Sequence, residues 1–151
     1  MRLFIFIFIS IFLINSYALS NENKVTYLEI ESDKLIIKEN PLLSEFIGNV
    51  YVKNEINQFW GNKIIVEYDD TKKIRFITII GDVVIVRPNE RITGNKAFYN
   101  LKLEKIKING NVSVSKNDDI LHGDELLVDL ISSISIIKGN KNKRVSVKIA
   151  E

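Results

Sequence analysis

The chain of 151 residues has no cysteine, two prolines, one histidine and one tryptophan. Without cysteine there is neither a disulfide framework nor a thiolate metal site. The single histidine, His122, has no neighbouring histidine or cysteine to complete a metal set, and no partners for a nucleophile triad; it reads as a surface residue at the start of a strand. Charge of one sign is lacking too: 21 Lys and Arg face 19 Asp and Glu. No one-signed field exists to recruit nucleic acid. Adjacent acids occur at Asp69-Asp70 and Asp118-Asp119. Both lie among turn-forming residues, so they read as solvated carboxylates and not as a glycosidase pair. No catalytic residue, metal ligand or cofactor is expected, and the chain does not read as an enzyme. After residue 20 there is also no helix-length segment with apolar residues at a 3.6 period.

The first 20 residues stand apart. Met1-Arg2 precede an apolar run from Leu3 to Leu19, followed by small residues, which is the layout of a secretory signal peptide. Cleavage is expected after Ala18 or Ser20, leaving residues 21–151 as one domain. The strictly apolar part, Leu3 to Ile14, is 12 residues, short of the ~20 that span a bilayer. The alternative is an uncleaved anchor. Cleavage leaves 20 basic and 19 acidic residues, a net charge of +1.

What the sequence has is a repeat. All seven glycines are followed by Asn or Asp. They fall into two interleaved series: Gly61, Gly94 and Gly123, preceded by the related Ser32-Asp33, and Gly48, Gly81, Gly110 and Gly139. From the second series to the next member of the first is always 13 residues, and the return steps are 16, 20, 16 and 16. A constant short separation is what a hairpin produces, and the paired glycines are then expected opposite each other on neighbouring strands. The midpoints fall near Asn54-Glu55, Arg87-Pro88 and Lys116-Asn117, all rich in turn formers. The return connections centre near Asn40-Pro41, Thr71, Lys102 and Ile131; Leu101-Lys102-Leu103 is the one that does not read as a turn.

The segments between alternate with period 2 and are rich in β-branched residues, which reads as half-buried strand. The inward set is Leu35 and Ile37; Phe46, Val50 and Val52; Ile64, Val66 and Tyr68; Val83 and Ile85; Ala97 and Tyr99; Val112 and Val114; Leu126 and Val128. A glycine at the same level in every strand creases the whole sheet. The predicted fold is therefore all-β: a V-shaped β-jellyroll, or β-taco, of stacked antiparallel strands from four repeats of about 30 residues. Eight traversals at about 4.8 Å give an axis of roughly 38 Å. Neither end has an obvious cap, so both edges are open to strand addition by a second copy or by a partner built alike. The inward residues are the candidate lining of an apolar groove. An acyl chain buried there gains about 0.8 kcal/mol per methylene.

The ordered segments Ser32-Asp-Lys-Leu, Phe46-Ile-Gly-Asn-Val-Tyr-Val, Gly61-Asn-Lys-Ile-Ile-Val-Glu-Tyr-Asp and Gly81-Asp-Val resemble the repeat of the LptA/OstA-like family over residues 28–130. The resemblance implies a β-jellyroll in the periplasm. It would receive lipopolysaccharide from an inner-membrane transporter and hold lipid A in the groove. From there it would bridge to an outer-membrane barrel, with LptC-like and LptD-like jellyroll proteins and further copies of itself as partners. Two alternatives remain: a membrane-anchored LptC-like partner of the same pathway, if Leu3–Leu19 is retained, and a structural or adhesive β-solenoid with a dry interior. The basic clusters Lys72, Lys73 and Arg75, and Lys141, Lys143 and Arg144, read as solvated faces or edge protection. Phe59 and Trp60 either line the groove entrance or staple two strands.

Overall fold

A computed structural model describes residues 28–54 and 56–150. The expected signal peptide and both expected cleavage points lie outside the described residues. Ten strands form one antiparallel sheet: β1 (Leu28–Glu31), β2 (Lys34–Glu39), β3 (Leu42–Asn54), β4 (Asn57–Tyr68), β5 (Ile74–Arg87), β6 (Glu90–Asn100), β7 (Lys105–Lys116), β8 (Asp119–Asp129), β9 (Ile134–Lys138) and β10 (Ser146–Lys148). The six long strands β3 to β8 pair in sequence order. β1 and β2 both pair with β3, and β9 and β10 both pair with β8. The first and last traversals are thus each two half-strands interrupted at the level of the crease.

Hairpins close one side of the sheet at Asn54/Asn57, Arg87/Glu90 and Lys116/Asp119. The other side closes at Glu39/Leu42, Tyr68/Ile74, Asn100/Lys105 and Asp129/Ile134. Short polar side chains make the longer turns by bonding backbone amides. Oδ1 of Asp69 accepts from Thr71 N (2.8 Å), Thr71 Oγ1 (2.6 Å) and Lys73 N (3.0 Å). Asp129 Oδ1 accepts from Ile131 N and Ser132 N, both at 3.0 Å. The stretch 101–104, which reads poorly as a turn, is one. Asn100 just before it supplies the cap, accepting from Leu103 N at 3.1 Å, and Glu104 takes the left-handed region at φ 49°.

The crease is a line of β-bulges. In β3, β5 and β7 the pairs Gly48-Asn49, Gly81-Asp82 and Gly110-Asn111 have positive φ at both residues. Each pair lies opposite a single residue of the next strand, Asn62, Asn95 and Asp124 respectively. One extra residue on every second strand bends the chain and raises its twist. The expectation that paired glycines face each other is corrected: the hairpins Asn54/Asn57, Arg87/Glu90 and Lys116/Asp119 turn just past the midpoint of each glycine pair. Gly61, Gly94 and Gly123 pair with Val50, Val83 and Val112, two residues beyond the bulge glycines. The Asx side chains line the outside of the crease: Asn49 Nδ2 donates to Asp33 (2.9 Å) and Asn62 Nδ2 to Asp82 (3.1 Å).

Each strand is so divided into a half on the tight-hairpin side and a half on the long-turn side. One hydrophobic cluster contains residues of both halves, Val50 and Phe59 with Ile64 and Ile108, each under 9% exposed. Among the described residues there is no second layer to cover them, so the two halves cover each other.

Lysines of neighbouring strands hold the outward carboxylates of the long-turn half. Glu45 sits between Lys38 and Lys63, at 2.5 Å from each; bonds first from Lys38 and then from Lys63 take its pKa from 4.5 to about 2. Glu125 is lowered by Lys107 and Lys138. Asp129 is lowered by its bond from the Ser132 amide and then by Lys105. Carboxylates lowered in the folded state contribute stability that is complete above their unfolded pKa and is lost as pH falls through the folded one. The urea midpoint is therefore expected to fall between about pH 5 and pH 2. Glu45→Gln should flatten part of that fall in a pH series of urea titrations. An unchanged slope would remove Glu45 from the account.

Candidate functional site

The strand register turns the alternating residues into rows that run across the sheet from edge to edge. On the tight-hairpin half, Ile30, Val52, Phe59, Ile85, Ile92, Val114, Leu121 and Val147 are successive Cα partners. On the other half the row is Leu35, Phe46, Ile64, Ile79, Ala97, Ile108, Leu126 and Ile137. Both rows are apolar at every position. A further row runs Ile37, Ser44, Val66, Ile77, Tyr99, Ile106, Val128 and Ser135. Nearest the crease, Val50, Val83 and Val112 alternate with Gly61, Gly94 and Gly123. These glycines are buried because the neighbouring isoleucine occupies the space: a Cβ on Gly61 or Gly94 would come 2.5 Å from Cγ2 of Ile79 or Ile108.

Thirteen of the sixteen candidate groove residues fall on these rows with their side chains covered or half-covered: Phe46, Val50, Val52, Ile64, Val66, Val83, Ile85, Ala97, Tyr99, Val112, Val114, Leu126 and Val128. Tyr68 also packs on the core, beside the turn 69–73. Leu35 and Ile37 share the inward face but are 50% and 65% exposed, because among the described residues no strand lies beyond β2. Phe59, Ile77, Ile79, Ile92, Ile106, Ile108 and Leu130 are equally buried and belong to the same interior. Their signal is the same alternation, one step along strands already identified. Phe59 points in, while Trp60 points out and stacks on Tyr51, ring centroids 5.1 Å apart.

The interior is closed. Val50, Val83 and Val112 are 1% exposed and Ile108 is 0%. At the tight-hairpin rim the inward positions turn polar, with Arg87, Glu90, Lys116 and Asp119 successive Cα partners of alternating sign. Arg87 is buried and pairs with Glu90 at 3.3 Å; burial pulls its pKa down and Glu90 opposes that. The opposite rim is apolar, with Tyr68, Leu101 and Leu130 on the core. Tyr99, half-buried on that side, has its pKa raised by burial first and by Glu104 second.

The remaining polar candidates take structural places. His122 is exposed in the middle of β8 opposite Ser113, not at a strand start. Asp69 organises its turn, and Asp119 accepts from Ala150 N at 3.0 Å. Arg75 lies over the Phe76 ring at 4.4 Å. Among the described residues no three His, Asp or Glu side chains come together as a metal set.

No curated protein sequence matches the chain. In structure it is similar to LptH of Pseudomonas aeruginosa, described as the LptA homologous periplasmic component of the conserved lipopolysaccharide transport device. The TM-score is 0.69 at 13% identity, over 83% of this chain and 96% of that one. At that identity the likeness shows the shared fold. The sequence carries the family itself: the model of the LptA/(LptD N-terminal domain) LPS transport protein family matches residues 29–133, so this chain, an open antiparallel β-jellyroll with an apolar interior, belongs to that family.

Proposed function

We propose that the protein is a non-enzymatic periplasmic carrier that takes the acyl chains of lipopolysaccharide between the two halves of its sheet. One observation carries this reading: two inward rows are apolar from edge to edge, and among the described residues no strand lies beyond either edge. They run across eight traversals, about 34 Å at 4.8 Å per step. A closed globular core has no need to continue to its edges, whereas a conduit does. Leu35 and Val147, at opposite ends, are 50% and 54% exposed. Strand addition by a further copy, or by LptC-like and LptD-like jellyrolls, covers them and prolongs the rows into a bridge between the two membranes.

The closed interior sets the mechanism. Acyl chains enter only when the two halves part at their rims, turning about the bulged crease. Each methylene then exchanges water for an apolar wall at about 0.8 kcal/mol. That gain offsets the packing between the halves that parting them gives up. The alternating charges at Arg87, Glu90, Lys116 and Asp119 place polar partners where the head of an amphiphile emerges. Residues 1–20 direct export and are removed after Ala18 or Ser20.

Photo-crosslinking in cells tests the reading. A photoreactive residue at Ile64, Val83 or Val112 should give adducts with lipopolysaccharide, and one at His122, on the outer face, should not. Absence of adducts from all three inward positions in a normally expressed protein would leave the structural β-solenoid with a dry core.

A further inference from the structure

The two lips of the mouth differ. On the long-turn lip Tyr68, Leu101 and Leu130 pack on the core. On the tight-hairpin lip the inward positions are charged from Arg87 to Asp119, and Arg87 is 4% exposed. Beside it, between the hairpins 87–90 and 116–119, lies a cleft of about 340 Å³. Its polar walls are Arg87, Asn89, Glu90, Arg91, Ser115 and Asn117. Two bonds hold the hairpins side by side: Asn117 N donates to Asn89 O at 3.2 Å, and Ser115 Oγ to Arg91 O at 3.4 Å. Strand alternation puts Arg87 on the inner side of the lip, in line with Val83 and Ile85. Arg91 pairs with Val86 and is exposed on the outer side. The cleft therefore straddles the lip, from trough to solvent.

A tight hairpin at this place does not need such chemistry, as the repeat itself shows. The positions of Arg87, Glu90 and Arg91 are taken by Asn54, Asn57 and Gln58 in the first hairpin, and by Lys116, Asp119 and Ile120 in the third. Among these three hairpins only the middle one sets two guanidinium groups into one cleft. Burying a guanidinium is costly unless it is paired. Glu90 pairs with Arg87 at 3.3 Å, and it is the one carboxylate in the walls against two guanidiniums. Asp118 and Asp119 do not line the cleft, and Asp119 accepts from Ala150 N at 3.0 Å. The walls thus carry one net positive charge, with the amides of Asn89 and Asn117 beside it. A guanidinium fork matches two oxygens of a phosphate, and amide donors suit the third.

We propose that this cleft binds a phosphate group on the head of the carried amphiphile. The assignment rests on the carrier reading above and adds what selects the cargo. Acyl chains between the halves leave the head at the mouth. The way out over the tight-hairpin lip passes Arg87 on the inside and Arg91 on the outside. A phosphorylated amphiphile is held there by its head as well as its chains; an unphosphorylated one is held by its chains alone.

Purified protein with a photoreactive residue at Val83 gives an apparent affinity from crosslink yield. Two cargoes are compared: lipopolysaccharide, and the same material stripped of phosphate by hydrofluoric acid. The parent should favour the phosphorylated cargo about tenfold, and Arg91→Gln, at an exposed site, should cut that preference to about threefold. Arg87→Gln should bring the ratio close to one. Because lost stability weakens both cargoes alike, the ratio reports the cleft and not the fold. Lys72→Gln, on the exposed turn of the other lip, removes the same charge and should leave the ratio unchanged. Equal affinities in the parent, an unchanged ratio in Arg91→Gln, or an equal loss in Lys72→Gln overturns the proposal, while crosslinks from Val83 leave carriage standing. Inorganic phosphate retained in equilibrium dialysis, with no preference between the cargoes, would assign the cleft to the free ion and overturn it too. No crosslink with either cargo ends the carrier reading and the proposal together.

Discussion

Ile108→Asp is expected to abolish folding. Ile108 is 0% exposed, lies in the middle of its row between Ala97 and Leu126, and packs its Cγ2 against Gly94. An ionised carboxylate there has no cation to meet it and costs several kcal/mol. Protonation avoids the charge but leaves a polar group without a partner and loses the isoleucine packing. The sum, on the order of 5 kcal/mol, is comparable with the whole stability of a domain this size, about 5–15 kcal/mol. Ile108→Val, which removes one methyl, should cost only about 0.5–1.5 kcal/mol. Urea titration followed by circular dichroism separates the two. A folded Asp variant with a midpoint near the parent's would mean that water reaches Ile108 and that the halves are not closed on each other.

The second large effect is at the crease, where the two glycine series are required for different reasons. Gly110 has φ +79°, a conformation that L-residues adopt at a cost of about 1–2 kcal/mol. A β-branched residue there adds the clash with Asn95, whose Cγ would lie 2.8 Å from the new Cβ. Gly110→Val should therefore lose about 3 kcal/mol. Gly94 has no such φ; its cost is the 2.5 Å approach to Cγ2 of Ile108, and overpacking of this kind costs about 1–3 kcal/mol. A double-mutant cycle distinguishes them. Gly94→Ala combined with Ile108→Leu, which has no Cγ2, should cost less than the sum of the two. Gly110→Ala combined with Asn95→Ala should keep most of its cost, because the strain is in the backbone. Full rescue of Gly110→Ala by Asn95→Ala would reduce both series to simple crowding.

Much of this architecture is legible in the linear chain because β-structure repeats on the scale of the chain itself. The 13-residue spacing locates the hairpins, and alternation picks the inward sides of the strands. Both survive folding because they depend only on near neighbours. Spacing alone puts the paired glycines opposite each other, yet they are offset, since each hairpin turns one residue later than the midpoint of its glycine pair, and the spacing does not say which residues close the turn. The turn at 101–104 is hard to see because Asn100, which makes it, lies outside the apolar stretch it caps. Arg87 does not read as inward: a charged residue beside Pro88 looks like the solvated tip of a hairpin, and only the strand register puts it in line with Val83 and Ile85.

By itself, then, the sequence determined a creased, all-β stack and the identity of the residues that face inward, because strand alternation and the conformational needs of Gly-Asx are local properties. Which of those residues water can reach was decided by tertiary structure alone. Val112 and Ile37 read alike in sequence, yet Val112 is 1% exposed and Ile37 65%. One is covered by the opposite half of the sheet. The other stands at an edge of the sheet, with no strand beyond it among the described residues.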